Sequence, residues 1–221
     1  LLSELSPPIA RVTLHRPEKR NALSSAQWLG LRELAAKISA DPAIRVALLQ
    51  GSGEAAFSAG ADIAEMQHNR DDPSAMKIMQ QAVLDAQADW QSIPIPTIAV
   101  IRGACTGGGC GLALACDLRL ASPDAFFAIP PARLGIAYSL ADTKRLQDLV
   151  GPARTKEILY TGRRIGAEQG RGDGGESEQG GAESARFIFW EHGDEGMGLD
   201  FSRNVGRIQW EWEMCVTAIG R

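Results

Sequence analysis

Several short segments in the first part of the chain have the hydrophobic pattern of β-strands. Residues 9–15 alternate apolar and polar side chains, as a strand with one buried face does. Residues 44–50 and 97–102 are instead continuous apolar runs of strand length, a pattern typical of strands buried on both faces. Two shorter runs, at 117–121 and 125–129, predict further strands.

Helical periodicity separates these strands. Apolar residues recur every three or four positions over 24–39 and over 73–93, which predicts two amphipathic helices, and two shorter helices are predicted at 139–150 and 152–161. A chain that alternates strand and helix in this rhythm builds right-handed βαβ units around a mainly parallel sheet. The pattern therefore predicts an α/β domain, long enough to bury a sizeable core.

Two glycine-containing turns each join a predicted strand to a predicted helix. One reads Phe57-Ser-Ala-Gly-Ala-Asp-Ile63, and the other reads Gly103-Ala-Cys-Thr-Gly-Gly-Gly-Cys-Gly111. At a helix N-terminus such a turn presents backbone N–H groups unobstructed by side chains, which can hold an anion or a developing oxyanion. Neither turn has the P-loop or dinucleotide-binding pattern. Close packing of a helix on a sheet also requires glycine, so for either turn alone a structural role is the alternative.

Taken together and in this order, the two turns resemble those of the enoyl-CoA hydratase/isomerase (crotonase) superfamily. The resemblance runs over about residues 9–168, and its other matching segments are Leu14-His-Arg-Pro17, Asn21-Ala-Leu23, Ala115-Cys-Asp-Leu-Arg119, Leu134-Gly135 and Leu159-Tyr-Thr-Gly162. It implies a crotonase-like α/β fold of the ClpP/crotonase type, a spiral of ββα units. It also implies a homotrimer or a hexamer made of two trimers.

The resemblance further implies an acyl-CoA substrate, with coenzyme A as part of that substrate and with no separate cofactor and no metal. The thioester carbonyl would lie between the N–H groups of Ala61 and Gly108, which would stabilise an enolate. The other positions that the resemblance assigns to the substrate and to coenzyme A are Lys19, Arg20, Ala22, Ala59, Asp62, Ile63 and Gly107.

Two positions depart from the hydratases of this superfamily, which use two glutamates as acid and base around one water. The matching residues here are Gly111 and Pro131, and neither can transfer a proton. Tyr138 and Asp142 are the candidates to act instead. The Leu-Gly-x-x-Tyr pattern before Tyr138 is similar to that of the methylmalonyl-CoA decarboxylase branch, in which departing CO₂ generates the enolate without a base. Asp142 lies near a stretch where other branches place a catalytic aspartate.

Three functions therefore stay open. The leading one is a hydratase/isomerase-type enzyme that acts through an oxyanion hole, with hydration itself in doubt. The second is a decarboxylase or isomerase that uses Tyr138 or Asp142, and the third is a catalytically silent acyl-CoA-binding protein. The structural alternatives are that Tyr138 is a core or rim tyrosine and that Asp142 is an exposed residue of a first helical turn.

Composition divides the chain near residue 165. Residues 1–165 contain 12 glycines, all 11 prolines, 18 basic and 16 acidic residues, whereas residues 166–221 contain 12 glycines, no proline, 5 basic and 11 acidic residues. We therefore expect a crotonase-like core over 1–165 and an anomalous, atypical C-terminal segment over 166–221 in place of the helical subdomain that the resemblance implies. The segment 169–181 is typical of a linker. A shifted reading frame, which would permit a family-like segment from the codons of 170–181, is one hypothesis, and a divergent C-terminus is the other.

Several classes of protein are disfavoured by composition. No apolar run approaches the roughly 18 residues of a membrane span, and the first residues lack the basic start of a secretory signal. No basic stripe with interleaved aromatic residues indicates nucleic acid as a partner. The four cysteines lack metal-ligand spacing and are expected to be buried free thiols, which predicts a cytoplasmic protein.

Overall fold

The computed structural model describes residues 1–167, Gln169 and the strand Phe187–Phe189. In this part of the chain the strands are β1 (Leu2–Ser6), β2 (Ile9–Leu14), β3 (Val46–Gly51), β4 (Ala56–Ser58), β5 (Thr97–Ile101), β6 (Ala104–Thr106), β7 (Leu118–Ala121), β8 (Phe126–Ala128), β9 (Ile165–Gly166) and β10 (Phe187–Phe189). The α-helices are α1 (Ser25–Ala40), α2 (Ile63–Asn69), α3 (Pro73–Gln91), α4 (Gly108–Leu114), α5 (Pro131–Leu134) and α6 (Leu140–Thr161). A 3₁₀ turn, Pro17–Lys19, precedes α1.

The strands form two sheets. The larger sheet has six strands in the order β1-β2-β3-β5-β7-β10, and all neighbours are parallel except β1 and β2. The smaller sheet has the order β4-β6-β8-β9, in which β9 is antiparallel to β8. From β3 onward, successive chain segments contribute one strand to each sheet before a helix, and the start of α4 closely follows β6 of the smaller sheet.

A single hydrophobic core joins the two sheets to the helices. The apolar faces of α1 and α3 provide its largest side chains, Trp28 and Trp90, both fully buried, and Phe57 of β4 is buried in the same cluster. The two helices are also linked at the surface, where Arg32 Nε donates to Asp89 Oδ2 at 2.7 Å. The core thus holds the strand-to-helix turns of both sheets on one packed support.

The predicted strands and amphipathic helices are confirmed with small shifts of their ends. β1 was missed, because it pairs only with β2 at the sheet edge and most of its residues are exposed. Helix α4 begins at Gly108, inside the glycine segment and not after it. The helices predicted at 139–150 and 152–161 are the two halves of α6, which are separated by a non-helical residue, Gly151 (φ +76°).

Three of the cysteines are buried free thiols, as predicted. The Sγ atom of Cys110 donates to the carbonyl oxygen of Cys105 at 2.9 Å, and the indole Nε1 of Trp90 donates to Sγ of Cys116 at 3.2 Å. Burial raises the pKa of Cys116 to about 12 and also raises the pKa of Cys105. The thiols of Cys105 and Cys116 therefore stay protonated near neutral pH and are poor nucleophiles.

The prediction for the C-terminal segment falls largely outside the described residues. The linker over 169–181, the shifted reading frame and the fourth cysteine, Cys215, all concern that part of the chain. Within it, β10 pairs in parallel with β7, so a strand beyond residue 165 extends the larger sheet. None of the helices in the described part of the chain combines the length and the apolar character that crossing a lipid bilayer requires.

Candidate active site

The two glycine turns meet face to face. Gly60 has φ +88°, and a Cβ added there would lie 2.7 Å from the nitrogen of Gly108 and 2.9 Å from the oxygen of Thr106. A Cβ added to Gly109 would overlap the carbonyl oxygen of Ser58 at 2.5 Å. Only residues without a side chain allow this approach, so the first turn rests directly on the N-terminus of α4.

This approach brings two backbone N–H groups, those of Ala61 and Gly108, close together. A Cβ added to Gly108 would lie 3.5 Å from the nitrogen of Ala61. Leu23 forms backbone hydrogen bonds with the two residues that flank Ala61. Its N–H donates to the carbonyl of Gly60 at 2.8 Å, and its carbonyl accepts from the N–H of Asp62 at 2.9 Å. Neither of the two N–H groups has an acceptor among the described residues. Two such donors can hold one oxygen atom between them.

The 16–22 segment is fastened to the first turn by its backbone and by one buried amide. Arg20 and Asn21 both have positive φ, and the carbonyl of Arg20 accepts from the N–H of Ala59 at 2.9 Å. The Asn21 side chain donates to the carbonyls of Ser52 (3.0 Å) and Ala56 (2.7 Å). This segment, which includes the buried Ala22, is therefore held at a fixed position beside the turn.

Asp62 links the same segment to helix α2. Its carboxylate caps α2 by accepting from the N–H of Ala64 at 3.0 Å, and it forms ion pairs with Arg16 Nη2 (2.9 Å) and Lys19 Nζ (3.1 Å). Burial opposes the ionisation of Asp62, but the hydrogen bonds from Lys19 and Arg16 outweigh it and hold the pKa of this carboxyl below its ordinary value. The next residue, Ile63, begins α2 with an exposed side chain.

At Gly111 a side chain would meet a buried polar cluster. An added Cβ would lie 2.8 Å from Oδ1 and 2.9 Å from Cγ of Asp142, and it would also overlap the side-chain amide of Gln87. Asp142 and Gln87 are 3% and 0% exposed, respectively. Helix α6 therefore brings a carboxylate, and α3 an amide, into the space in front of Gly111. The alternative that Asp142 is an exposed first-turn residue is wrong.

Three donor groups surround the Asp142 carboxylate. Oδ1 accepts from Arg145 Nη1 at 2.9 Å, and Oδ2 accepts from Ser139 Oγ at 2.9 Å. With the Gln87 amide oriented so that its nitrogen faces Asp142, that nitrogen lies 2.9 Å from Oδ1 and 3.1 Å from Oδ2. We call Gln87, Ser139, Asp142 and Arg145 the carboxylate cluster.

Tyr138 lies between the carboxylate cluster and the second turn. Its hydroxyl group donates to the carbonyl oxygen of Gly107 at 3.4 Å, one residue before Gly108. Burial, and then the negative charge of Asp142, raise the pKa of Tyr138 well above its ordinary value. The side chain thus offers a neutral hydroxyl group at the edge of the two turns.

Pro131 has no polar side chain to offer to a substrate. It is buried as the first residue of α5, where its ring and missing N–H fit a helix start.

Comparison with known proteins places this chain in a family. The family model described as "Enoyl-CoA hydratase/isomerase" matches residues 4–174. The chain belongs to the enoyl-CoA hydratase/isomerase family. It is 39% identical over 167 residues to YngF of Bacillus subtilis and 35% identical over 171 residues to a crotonyl-CoA hydratase of Syntrophomonas wolfei. These matches cover 74% and 76% of this chain, but only 62% and 64% of the relatives, so the chain spans less than two thirds of their length.

Solved structures of the enoyl-CoA hydratase/isomerase family confirm the crotonase-like α/β fold. A crystal structure of an enoyl-CoA hydratase/carnithine racemase from Magnetospirillum magneticum has a TM-score of 0.79 at 31% identity. That match covers 94% of this chain and 73% of the other. A second, an enoyl-CoA hydratase of Bacillus anthracis, has a TM-score of 0.75 at 33% identity and covers 78% of this chain and 67% of the other.

The sequence predicted Tyr138 and Asp142 as site residues, but the three residues that contact the Asp142 carboxylate were missed. Gln87 belongs to a helix whose apolar periodicity had been assigned to the core, and its full burial is the feature that distinguishes it. Ser139 is the N-cap of α6, and its signal was a serine three residues before Asp142. Arg145, three residues after Asp142, was detectable as an i,i+3 pair on that helix.

Proposed function

We propose that this protein acts on an acyl-CoA thioester and stabilises the enolate that the reaction forms. The proposal rests mainly on the N–H groups of Ala61 and Gly108, which the approach of the turns brings together and which have no acceptor in the part of the chain that the structure describes. A thioester oxygen between them would gain hydrogen bonds as negative charge develops on it. One donor of this kind contributes about 2.7–4 kcal/mol to transition-state stabilisation.

The coenzyme A portion is proposed to lie along the 16–22 segment and the first turn. The ammonium group of Lys19 is exposed enough to contact a phosphate, and its ion pair with Asp62 holds it beside Ile63 at the start of α2. Arg20 offers a second exposed cation on the same segment. Ala22, Ala59 and Gly107 would contribute backbone to the same path.

Hydration of a double bond has weaker support than enolate formation itself. Hydratases of the family use two carboxylic groups around one water, and Gly111 and Pro131 provide neither. Asp142 is the carboxylate that faces Gly111, and it already accepts hydrogen bonds from Arg145 and Ser139 and is contacted by the Gln87 amide. Proton transfer by Asp142, as in an isomerisation, would require one of these hydrogen bonds to break.

Decarboxylation of a malonyl-type thioester is the second candidate, and the position of Tyr138 favours it. In such a reaction the bond to the carboxylate carbon breaks, its electron pair enters the enolate, and CO₂ leaves without the help of a base. A neutral hydroxyl group 3.4 Å from the Gly107 carbonyl could orient the carboxylate or supply the proton that the enolate carbon then takes up. Such thioesters therefore belong in any test of activity.

The test compares the full chain with three classes of coenzyme A thioester. Hydration of crotonyl-CoA, shift of a 3-enoyl-CoA double bond and loss of CO₂ from malonyl-type thioesters would be measured alongside calorimetric binding. We expect turnover of at least one class. Binding without turnover would support the silent acyl-CoA-binding protein, and failure to bind any thioester would reject the proposal.

A tyrosine substitution separates decarboxylation from the alternatives. Tyr138→Phe is expected to lower kcat for a malonyl-type thioester by at least tenfold, because the hydroxyl group is lost while the ring remains. Tyr160→Phe is the matched control, since Tyr160 lies on α6 with 75% of its surface exposed. Equal activity of the two variants would remove Tyr138 from the mechanism. Assembly as a homotrimer or hexamer stays a prediction of the resemblance, and a cytoplasmic location stays a prediction of the cysteine content.

A further inference from the structure

The carboxylate cluster occupies a volume that a side chain at position 111 would otherwise need. The added Cβ of Gly111 would contact Oδ1 and Cγ of Asp142 below 3.0 Å, and the carboxylate group cannot move without disturbing the hydrogen bonds of its oxygens. Asp142 belongs to α6, whereas Gly111 belongs to α4. The absence of a side chain on α4 is therefore what lets the start of α6 dock against it.

The contacts of Asp142 are those of a carboxylate with a structural role. Its oxygens accept from Arg145 and Ser139, the Gln87 amide nitrogen lies between the two oxygens, and its side chain is 4% exposed. Arg145 is held in turn, because its Nε donates to Gln91 at 2.8 Å. A carboxylate that is buried, paired with an arginine and contacted by two further donors is poorly placed to take a proton from a substrate.

The cluster also fixes the residue that precedes α6. Ser139 is the N-cap, and its Oγ accepts from the N–H of Asp142 at 3.0 Å while donating to the Asp142 carboxylate. Tyr138 is bonded covalently to this cap, and its hydroxyl group contacts the Gly107 carbonyl. Residues 132–137, which lead to Tyr138, are all exposed, so packing before the tyrosine contributes little to its position.

We propose that Gln87, Asp142 and Arg145 are positioning residues that use the volume left by Gly111 to hold the Tyr138 hydroxyl group beside the amides of the two turns. Asp142 acts through Tyr138 and carries no proton in the reaction. The effect of these residues on catalysis rests on the proposed function, whereas their effect on the position of Tyr138 does not.

The first test reads the position of Tyr138 without any turnover. The chain has two tyrosines, so 3-fluorotyrosine labelling gives two fluorine resonances, with the exposed Tyr160 as an internal reference. Asp142→Asn is expected to shift the Tyr138 resonance and to lower the pKa of its hydroxyl group, because a nearby negative charge is removed. The Tyr160 resonance should stay unchanged.

The effects of the individual titratable and charged groups on the pKa of Tyr138 must be distinguished in this titration. Besides Asp142, the thiols of Cys110 and Cys105 raise its pKa and Arg145 lowers it, and all of these groups remain in the variant. Asp148→Asn is the matched control, because it removes an exposed carboxylate of α6 that pairs with Lys144. An Asp142→Asn protein whose Tyr138 resonance and titration match those of Asp148→Asn would overturn the proposal.

The second test exchanges the carboxylate and the amide between positions 142 and 87 of the carboxylate cluster. Gln87→Glu combined with Asp142→Asn keeps one carboxylate, one amide and the charge balance with Arg145. We expect this double variant to bring the Tyr138 resonance back towards its original position and to recover most of the activity that Asp142→Asn alone loses. It also provides a folded protein for comparison if the single variant does not fold. No recovery of the resonance would contradict the positioning role.

The third test decides between positioning and proton transfer. If Asp142 acts only through Tyr138, Tyr138→Phe combined with Asp142→Asn should lose no more kcat than Tyr138→Phe alone. If Asp142 carries a proton itself, the two losses should multiply, and the proposal fails. If the fluorine results hold while no thioester is turned over, the proposed function is rejected and the placement of Tyr138 stands.

Discussion

Gly60 serves the first turn in two ways, because it adopts a positive φ and it leaves room for the N-terminus of α4. Gly60→Ala would place Cβ 2.7 Å from the nitrogen of Gly108, so the turn must move away from α4. Because this displaces one of the two N–H donors, we expect turnover of a thioester to fall by about 10²–10³-fold. The measurement is kcat for whichever thioester class the full chain accepts.

Gly53→Ala is the control for this prediction. Gly53 also has positive φ (+75°), but nothing lies within 4 Å of an added Cβ. Both variants should lose about 1–2 kcal/mol in free energy of unfolding from the unfavourable φ of alanine. Only Gly60→Ala should also lose activity, and equal activities would contradict the role given to the first turn.

Restoring a family glutamate at position 111 is expected to fail in this protein. Gly111→Glu forces Cβ against Asp142 and Gln87, so Tyr138 should shift and no crotonyl-CoA hydration should appear. Gly111→Ala should lower the free energy of unfolding by about 1–3 kcal/mol, as overpacking does. Gly166→Ala meets open space and should be nearly neutral. A stable Gly111→Glu variant that hydrates crotonyl-CoA would show that the pocket tolerates both groups.

At the scale of an element, the N-terminus of α2 combines a helix cap with an ion pair. Asp62→Asn keeps a capping side chain, since Asn and Asp are similar N-caps, but it removes the charge that pairs with Arg16 and Lys19. The pKa of Asp62 is lowered in the folded chain, so its contribution to stability is present above its unfolded pKa and is lost as pH falls through the folded pKa.

The variant should therefore be less stable than the original chain at pH 7, and the difference should shrink at acid pH. Chemical denaturation at neutral pH and below about pH 4 measures this difference. Asp72→Asn is the control, because Asp72 caps α3 by accepting from Ser74 and Ala75 without a cationic partner among the described residues. A stability difference for Asp62→Asn that stays constant with pH would mean that the ion pairs contribute nothing.

Helices and strands were predictable from the sequence where one buried face makes apolar residues recur at regular spacing. Contacts between elements were not predictable in this way. Helices α1 and α3 follow from their apolar faces, and the N–H groups at the turns follow from glycine spacing. The meeting of Gly111, Gln87 and Asp142 depends on how α3, α4 and α6 dock, and each segment alone has an ordinary helical pattern. β1 lacked a signal because an exposed edge strand needs little apolar surface.

At the scale of the whole molecule, both sheets depend on one core, so the described part of the chain should unfold cooperatively. Leu49 belongs to the larger sheet and Phe57 to the smaller one, and both are fully buried in the same cluster. Leu49→Ala should lower the free energy of unfolding by about 2–5 kcal/mol and Phe57→Ala by about 3–5 kcal/mol. The exposed Leu29→Ala is the control for the loss of an apolar side chain.

Hydrogen exchange followed by mass spectrometry measures this coupling in each sheet separately. With one cooperative core, Leu49→Ala should speed the global exchange of peptides from β4, β6 and β8 as much as that of peptides from β2, β3 and β5. If each substitution affected only its own sheet, the two sheets would be separate folding units. Because both glycine turns follow paired strands of the smaller sheet, Leu49→Ala should then leave thioester binding unchanged.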